Sequence, residues 1–269
     1  MLLILLLAAQ AAHAGPRIAD DALASHPYFD VVQPVYDPAP ARVDADFAER
    51  FRLDELPHMT REFPAPTSAE LAESGGLLER ARAVFRANGV EPWFRAAPAR
   101  AVSNDGLPAT IDLSLRGRRF SSETLEKLGR LLVAAHRAVP DPQAVPVLVL
   151  NAYLYKVDAR SPLFPAPIGA HAFTRPGVRQ LRSLTGVAVP DRPLILVANN
   201  PWLGAFFADV DGENHSLLAH ELGHLVGLVH SRAPGNLMRV PTTRAPSLDE
   251  AQKRRIADWA ARRPAPSRR

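Results

Sequence analysis

The stretch His220-Glu221-Leu222-Gly223-His224-Leu225-Val226-Gly227-Leu228-Val229-His230 decides how the rest of the chain is read. His220 and His224 are four residues apart, so on a helix their imidazoles share one face, one turn apart. Two neutral imidazoles so placed can hold a zinc ion. Glu221 follows the first histidine directly and points in a different direction. It suits a general base that takes a proton from a water activated by the metal. Gly227 tolerates a positive φ, which lets the helix stop and the chain turn back. That turn brings His230 round as a third ligand, and three protein ligands leave one tetrahedral position for water, as in a catalytic zinc site. The competing reading is a buried helix with incidental histidines. Leu217, Leu218, Leu222, Leu225, Val226 and Val229 do make the stretch apolar, but that reading needs five fixed positions to match by accident.

The pattern His220-Glu221-x-x-His224-x-x-Gly227-x-x-His230 resembles the metzincin signature. Asn236-Leu237-Met238 follows at a suitable distance, and Met238 is similar to the methionine of the metzincin Met-turn. The run from His230 through Ser231 to Met238 resembles a matrixin active-site segment. The resemblance spans roughly residues 108–262 and is specific in 220–241. It implies an α+β, metzincin-like zincin fold: a twisted mixed β-sheet with a long active-site helix and a C-terminal helix. It implies a zinc endopeptidase acting on polypeptide in extended conformation, with His220, His224 and His230 on one catalytic zinc and Glu221 as general base. Ile168-Gly169-Ala170-His171-Ala172-Phe173 is similar to the matrixin edge strand, which pairs with extended substrate. Leu194 to Ala198 is the alternative occupant of the edge. The histidine of that family strand binds a structural zinc, so His171 is a candidate ligand, although the usual upstream His-Gly-Asp run is absent. Val240-Pro241-Thr242-Thr243 falls where a matrixin builds the outer wall of its S1′ pocket. Arg239 and Val240 stand where some metzincins supply a tyrosine. A zinc-containing binding or adhesion module that does not hydrolyse is the alternative from another class. Glu221 speaks against it, because metal binding alone does not need that carboxylate.

The charge balance is mild: 32 Lys and Arg against 28 Asp and Glu, a formal net charge of +4. No dense basic run is interleaved with aromatics, so nothing marks a nucleic-acid surface. Residues 2–9 form a short apolar run, and Ala12-His13-Ala14 before Gly15 is a small-x-small cleavage pattern. Residues 1–14 therefore read as a signal peptide, too short to remain as a bilayer span. Export to the periplasm or outside the cell follows as the expectation. The chain has no cysteine, which is compatible with that compartment and rules out a cysteine cap on the zinc.

Residues 15–107 are expected to form a propeptide, an extension packed on the catalytic domain, or a small separate module. Prolines recur from Pro27 to Pro66, which favours extended and turn conformations over a surface. Ser68 opens a helical pattern through Leu77, Leu78, Ala81, Val84 and Phe85, closed by Asn88-Gly89. From residue 108 to 262 the catalytic domain is expected. Thr110 to Leu115 alternates like a half-buried strand, Ser121 or Ser122 caps a helix to about Val139, and Val145 to Ala152 is a second strand. Strand, helix and strand favour parallel pairing through a right-handed crossover. Asp209, Asp211 and Glu213 are candidates for calcium or for favourable charges at the active-site helix start, with Asn214 or Asp211 as cap. Ser247 with Glu250 reads as a capping box for a last helix packing through Leu248, Ile256 and Trp259. Residues 263–269 read as a flexible tail.

Overall fold

The computed structural model describes residues 28–35, 41–55, 61–63, 68–90, 93–96, 100–103, 106–115, 119–142, 144–157, 165–198, 216–240 and 245–262. The signal peptide, the Asp209–Asp211–Glu213 group, Asn214, the segment Pro241 to Thr243 and the tail lie outside them. The architecture is mixed α+β, built on a six-stranded sheet. Its spine is β7 (Val145–Leu150), an apolar strand buried on both faces. Strand β1 (Tyr28–Val35) pairs parallel to one edge of β7, and β11 (Leu194–Ala198) pairs parallel to the other. Strands β4 (Arg95–Ala96) and β5 (Arg100–Ser103) pair parallel to the outer side of β1. Strand β10 (Ala170–Phe173) closes the opposite side, antiparallel to β11. The Ala-His-Ala-Phe run is therefore the edge strand, and Leu194 to Ala198 lies inside the sheet.

The period-2 alternation of β7 and β11 divides the core into two layers. Val145, Val147, Val149, Ile195 and Val197 face a layer shared with α2 (Ser68–Ala87), α5 (Leu217–Leu225) and α6 (Glu250–Ala261). Leu148, Leu150, Leu194 and Leu196 face a second layer with α3 (Ser122–Ala138) and α4 (Arg175–Thr185). Ser121 caps α3 by accepting the Thr124 N–H at 3.1 Å. Its other end is closed by buried Arg192, whose guanidinium donates to the carbonyls of Ala135, Val139, Asp141 and Ala144. A cation at a helix C-terminus satisfies orphan carbonyls and complements the dipole.

Strand β6 (Thr110–Asp112) departs from the crossover expectation. It pairs parallel with β8 (Tyr153–Val157), which also takes β9 (Pro165–Pro167), in a separate three-stranded sheet. Both edges of β7 are already occupied by β1 and β11, so β6 has no place beside it. Short strands β2 (Ala41–Arg42) and β3 (Glu62–Phe63) pair near α1 (Ala45–Arg50). Phe47 and Phe51 of this strap pack on Tyr153 and Tyr155, with Phe47 stacked on Tyr153 at 5.4 Å between centroids.

The segment 15–107 thus supplies β1, β4, β5 and α2 to the same sheet and core as residues 108–262. The strand at 28–35 is hidden in the sequence by Pro34 within it. Pairing with β7 ends at Val32, so Pro34 lies beyond it and its missing N–H removes no bond from that ladder. Leu77, Leu78, Ala81 and Phe85 of α2 are buried in the layer that holds α5. Burial of each large side chain contributes about 1.5–3 kcal/mol, against a total stability of about 5–15 kcal/mol for an ordinary domain. A chain begun at residue 108 is therefore expected to lose cooperative thermal unfolding. Circular dichroism melts of that fragment beside the full chain check this, and a cooperative melt of the fragment would contradict the shared core.

Candidate metal centre

Helix α5 is short, nine residues, and not the long helix expected. Its C-terminal end falls at the turn expected at Gly227. Gly227 takes φ +86°, the Leu228 N–H donates to the Gly223 carbonyl at 3.0 Å, and the Gly227 N–H donates to the His224 carbonyl at 3.0 Å. These two bonds form a Schellman motif, which ends the helix and reverses the chain. Arg255 of α6 lies over Gly227, and its Nε donates to the Val226 carbonyl at 3.3 Å. A Cβ on Gly227 would come within 2.7 Å of the Arg255 guanidinium, so both conformation and space favour glycine there.

The reversal brings His230 back beside α5. One ring nitrogen from each of His220, His224 and His230 lies within 4.8 Å of the others. The Nε2 atoms of His224 and His230 are 3.1 Å apart, close to the roughly 3.3 Å that two ligands of one tetrahedral zinc would show from Zn–N bonds of about 2.0–2.1 Å. His220 Nδ1 bonds the Leu237 carbonyl at 2.7 Å, and His224 Nδ1 bonds the Leu228 carbonyl at 2.9 Å. A carbonyl only accepts, so each Nδ1 carries the proton and each Nε2 keeps a lone pair for a metal. Burial holds His220 down at about 4 and lowers His224 as well, against the opposing pull of those carbonyls. Both rings are therefore neutral at physiological pH, as ligation requires. The donor set fits a metal ion.

Glu221 is buried at 6% exposure, and burial pushes its carboxyl up to about 7. The Ala172 N–H of β10 bonds the carboxylate, and Lys156 adds a smaller pull toward the charged form. A dication held by the neighbouring imidazoles would favour ionisation further.

Met238 is fully buried beneath α5. Its sulfur packs against Gly223, where an added Cβ would come within 2.6 Å of Sδ. The turn that carries it is fastened from several sides. The Met238 N–H donates to Asn236 Oδ1 at 2.9 Å, the Ser231 N–H to the Met238 carbonyl at 2.8 Å, and the Leu237 N–H to the Ser247 carbonyl at 2.8 Å. Buried Asn236 exchanges amide hydrogen bonds with Gln252 of α6 at 2.9 and 3.1 Å. Asn88, just past α2, accepts the Leu248 N–H at 2.7 Å and donates to the Pro246 carbonyl at 2.9 Å. The Leu237 carbonyl that orients His220 is thus braced from α6 and from the turn after α2.

Several of these residues carry no motif signal: Ala172, Leu237, Asn236, Gln252 and Asn88. Gly223 carried one, since a glycine inside a helix costs about 1 kcal/mol relative to alanine and calls for a packing reason. The expected capping box at Ser247 and Glu250 is displaced. Asp249 caps α6, accepting the Gln252 N–H at 2.8 Å while Gln252 accepts the Asp249 N–H at 3.0 Å. Ser247 is instead drawn to Gly235, donating its N–H to that carbonyl at 2.7 Å. His171 stands edge-on to Phe173 at 4.6 Å, and burial holds it near 4. Among the described residues it belongs to no group of three or more metal-ligating side chains.

No known protein family and no curated protein matches the chain. Among solved structures it is similar to archaemetzincin from Methanopyrus kandleri, with 11% identity over 87% of this chain and 97% of that one, TM-score 0.40. A zinc-dependent peptidase from Methanocorpusculum labreanum shows 14% identity over 84% and 99%, TM-score 0.38. Metalloproteinase-II from Bacteroides fragilis shows 10% identity over 87% of this chain and 54% of its own, TM-score 0.43. Scores this low fix no family, and the functional reading rests on the site itself.

Proposed function

We propose that the chain is a zinc-dependent endopeptidase of the metzincin type. The observation that carries the proposal is the convergence of three imidazole nitrogens beside a buried carboxylate, with two of the rings fixed by backbone carbonyls. Zinc, which an all-imidazole donor set suits, supplies Lewis acidity there, lowering the pKa of a water and polarising a peptide carbonyl. His220, His224 and His230 hold the ion. Glu221 takes the proton of the attacking water and delivers it to the leaving amine. The Ala172 N–H aims that carboxylate from the edge strand.

Strand β10 also supplies a rail for the substrate. The Ala198 N–H donates to the Gly169 carbonyl at 2.7 Å, which sets the parity of the ladder with β11. His171 and Phe173 therefore turn their backbone groups inward, and Ala170 and Ala172 turn theirs outward. With the Ala172 N–H committed to Glu221, the Ala170 N–H and the carbonyls of Ala170 and Ala172 face the edge of the sheet that no described strand occupies. An extended polypeptide adding as a further strand would bond to them. Residues 28–262 act as one catalytic unit on this reading, and the pattern at residues 1–14 supports a periplasmic or secreted location.

Purified chain is expected to cleave an unfolded protein substrate, to stop when a zinc chelator is added, and to recover with added zinc. Zinc binding without any cleavage of unfolded protein would remove the hydrolytic reading and favour a binding module.

A further inference from the structure

Lys156 is the one charged side chain of β8, and the pleat decides where it points. Tyr153 and Tyr155 pack on Phe47 of the strap, so they face one side of the strand. Leu154 faces the other, in the layer with α3 and α4. Side chains alternate along a strand, so Lys156 shares the side of Leu154. The Ile168 N–H donates to the Leu154 carbonyl at 2.9 Å, which ties β8 to the chain just before β10 begins. Phe173 of β10 is buried in the same layer as Leu154, and alternation sets His171 on that side as well. Lys156 and His171 therefore share one side of the edge strand. Burial holds His171 near 4 and the Lys156 ammonium pulls the same way, while its field also reaches Glu221. Lys156 is exposed and forms no ion pair with another described residue.

The surroundings add positive charge and no acid. Among the described residues of β8, β9, β10 and α4 the charged side chains are Lys156, Arg175, Arg179 and Arg182. A cavity of about 240 Å³ on the same side of β10 has Arg119, Thr174 and Gln180 among its carbon walls and no carboxylate. Helix α4 opens at this cavity with no acidic residue in its first turn, so its positive end is left uncompensated.

We propose that Lys156 is a specificity-determining residue that draws a substrate carboxylate to the His171 side of β10, so that the substrates are acidic polypeptides. The proposal rests on the peptidase reading and deepens it. A peptide strand bonded to the outward groups of Ala170 and Ala172 alternates its own side chains between the two faces of the sheet. Those on the His171 side come under the field of Lys156, to which Arg119 of the cavity wall adds. An Asp or Glu there gains an opposite charge, and Lys156 gives up no existing partner to meet it. A Lys at the same place meets a like charge. The terminal carboxylate of a short peptide carries the same chemistry as the side chain.

The test uses peptides blocked at both ends that differ in one residue, with Asp, Asn or Lys placed in turn at each position around a cleaved bond. Asp and Asn share a shape, so their ratio isolates the charge. Cleavage is read for the full chain, and binding by fluorescence anisotropy for the Glu221→Gln chain. Wild type is expected to favour Asp over Asn at one position by about fivefold or more, the upper end of what a solvent-touched ion pair gives. That ratio should shrink as ionic strength rises from about 0.01 to about 1 M, where the screening length falls from about 30 to about 3 Å. Lys156→Met should bring it below about twofold, Lys156→Arg should keep it, and Lys156→Glu should turn the preference toward Lys. A role of Lys156 confined to Glu221 would move all peptides alike and leave the ratio near one in every chain. Preference for a free over an amidated C-terminus, lost in Lys156→Met, would assign the contact to the terminal carboxylate instead of the side chain and still support it. Binding preference without cleavage would remove the hydrolytic reading and leave the carboxylate contact standing. Cleavage with no preference for a carboxylate of either source, a preference that survives Lys156→Met, or no peptide binding at all would overturn the proposal.

Discussion

Glu221→Gln is expected to lower kcat/KM by about 10²–10⁴-fold, the usual contribution of a general acid–base group, while zinc stoichiometry and thermal stability stay near wild type. Glutamine keeps the shape of the side chain, and its carbonyl oxygen can still accept the Ala172 N–H that bonds the carboxylate. What it cannot do is take a proton. The loss should fall on kcat with KM little changed, since the missing interaction belongs to the transition state. Steady-state kinetics with metal analysis on the same samples decide it. Retained turnover in a zinc-replete Glu221→Gln chain would show that another group is the base.

The second large effect is expected at Gly223→Val. A Cβ there would sit 2.6 Å from Met238 Sδ, 3.3 Å from its Cε and 3.4 Å from a Leu228 methyl carbon. Met238 is fully buried, so its thioether has no solvent side to move into. Overpacking of this kind costs about 1–3 kcal/mol, and valine adds branched bulk to the contact. The displaced turn carries the Leu237 carbonyl that holds His220, so zinc affinity should fall by about 10–100-fold, as for the loss of a group that orients a ligand. Denaturant unfolding and competitive zinc titration measure the two effects. Met238→Ala in the same chain should recover part of both losses, because it removes the atoms in conflict. Gly223→Val with wild-type stability and zinc affinity would contradict the close packing of Met238 under α5.

The grouping of His220, His224 and His230 was legible in the sequence because its geometry is local. His220, His224, Gly227 and His230 lie within three helical turns, and each spacing maps directly to a direction or a dihedral angle. The helix opening at Ser68 and the apolar spine at β7 were legible for the same reason, whereas the edge position of Ala170–Phe173 came only from the resemblance, with Leu194 to Ala198 left open beside it until the pairing settled the order. Long-range partnership was not. That β1 pairs with β7 depends on where Pro34 falls relative to the ladder, which no local pattern encodes. That Ser247 serves the Met238 turn and leaves the cap of α6 to Asp249 depends on Gly235, twelve residues upstream. The brace from Asn88 to Leu248 joins residues 160 apart. Side chains and carbonyls that orient a ligand from another element have no fixed spacing to it, so a motif finds the ligands and misses what holds them.

Whether His220, His224 and His230 hold one zinc is decided by X-ray absorption spectroscopy of the purified chain with metal quantified in the same sample. About one zinc per chain is expected, with three imidazole nitrogens at about 2.0–2.1 Å, lost on replacing His224 by Ala. A folded chain that binds no zinc, or whose zinc keeps its stoichiometry and imidazole shell after His224→Ala, would contradict it.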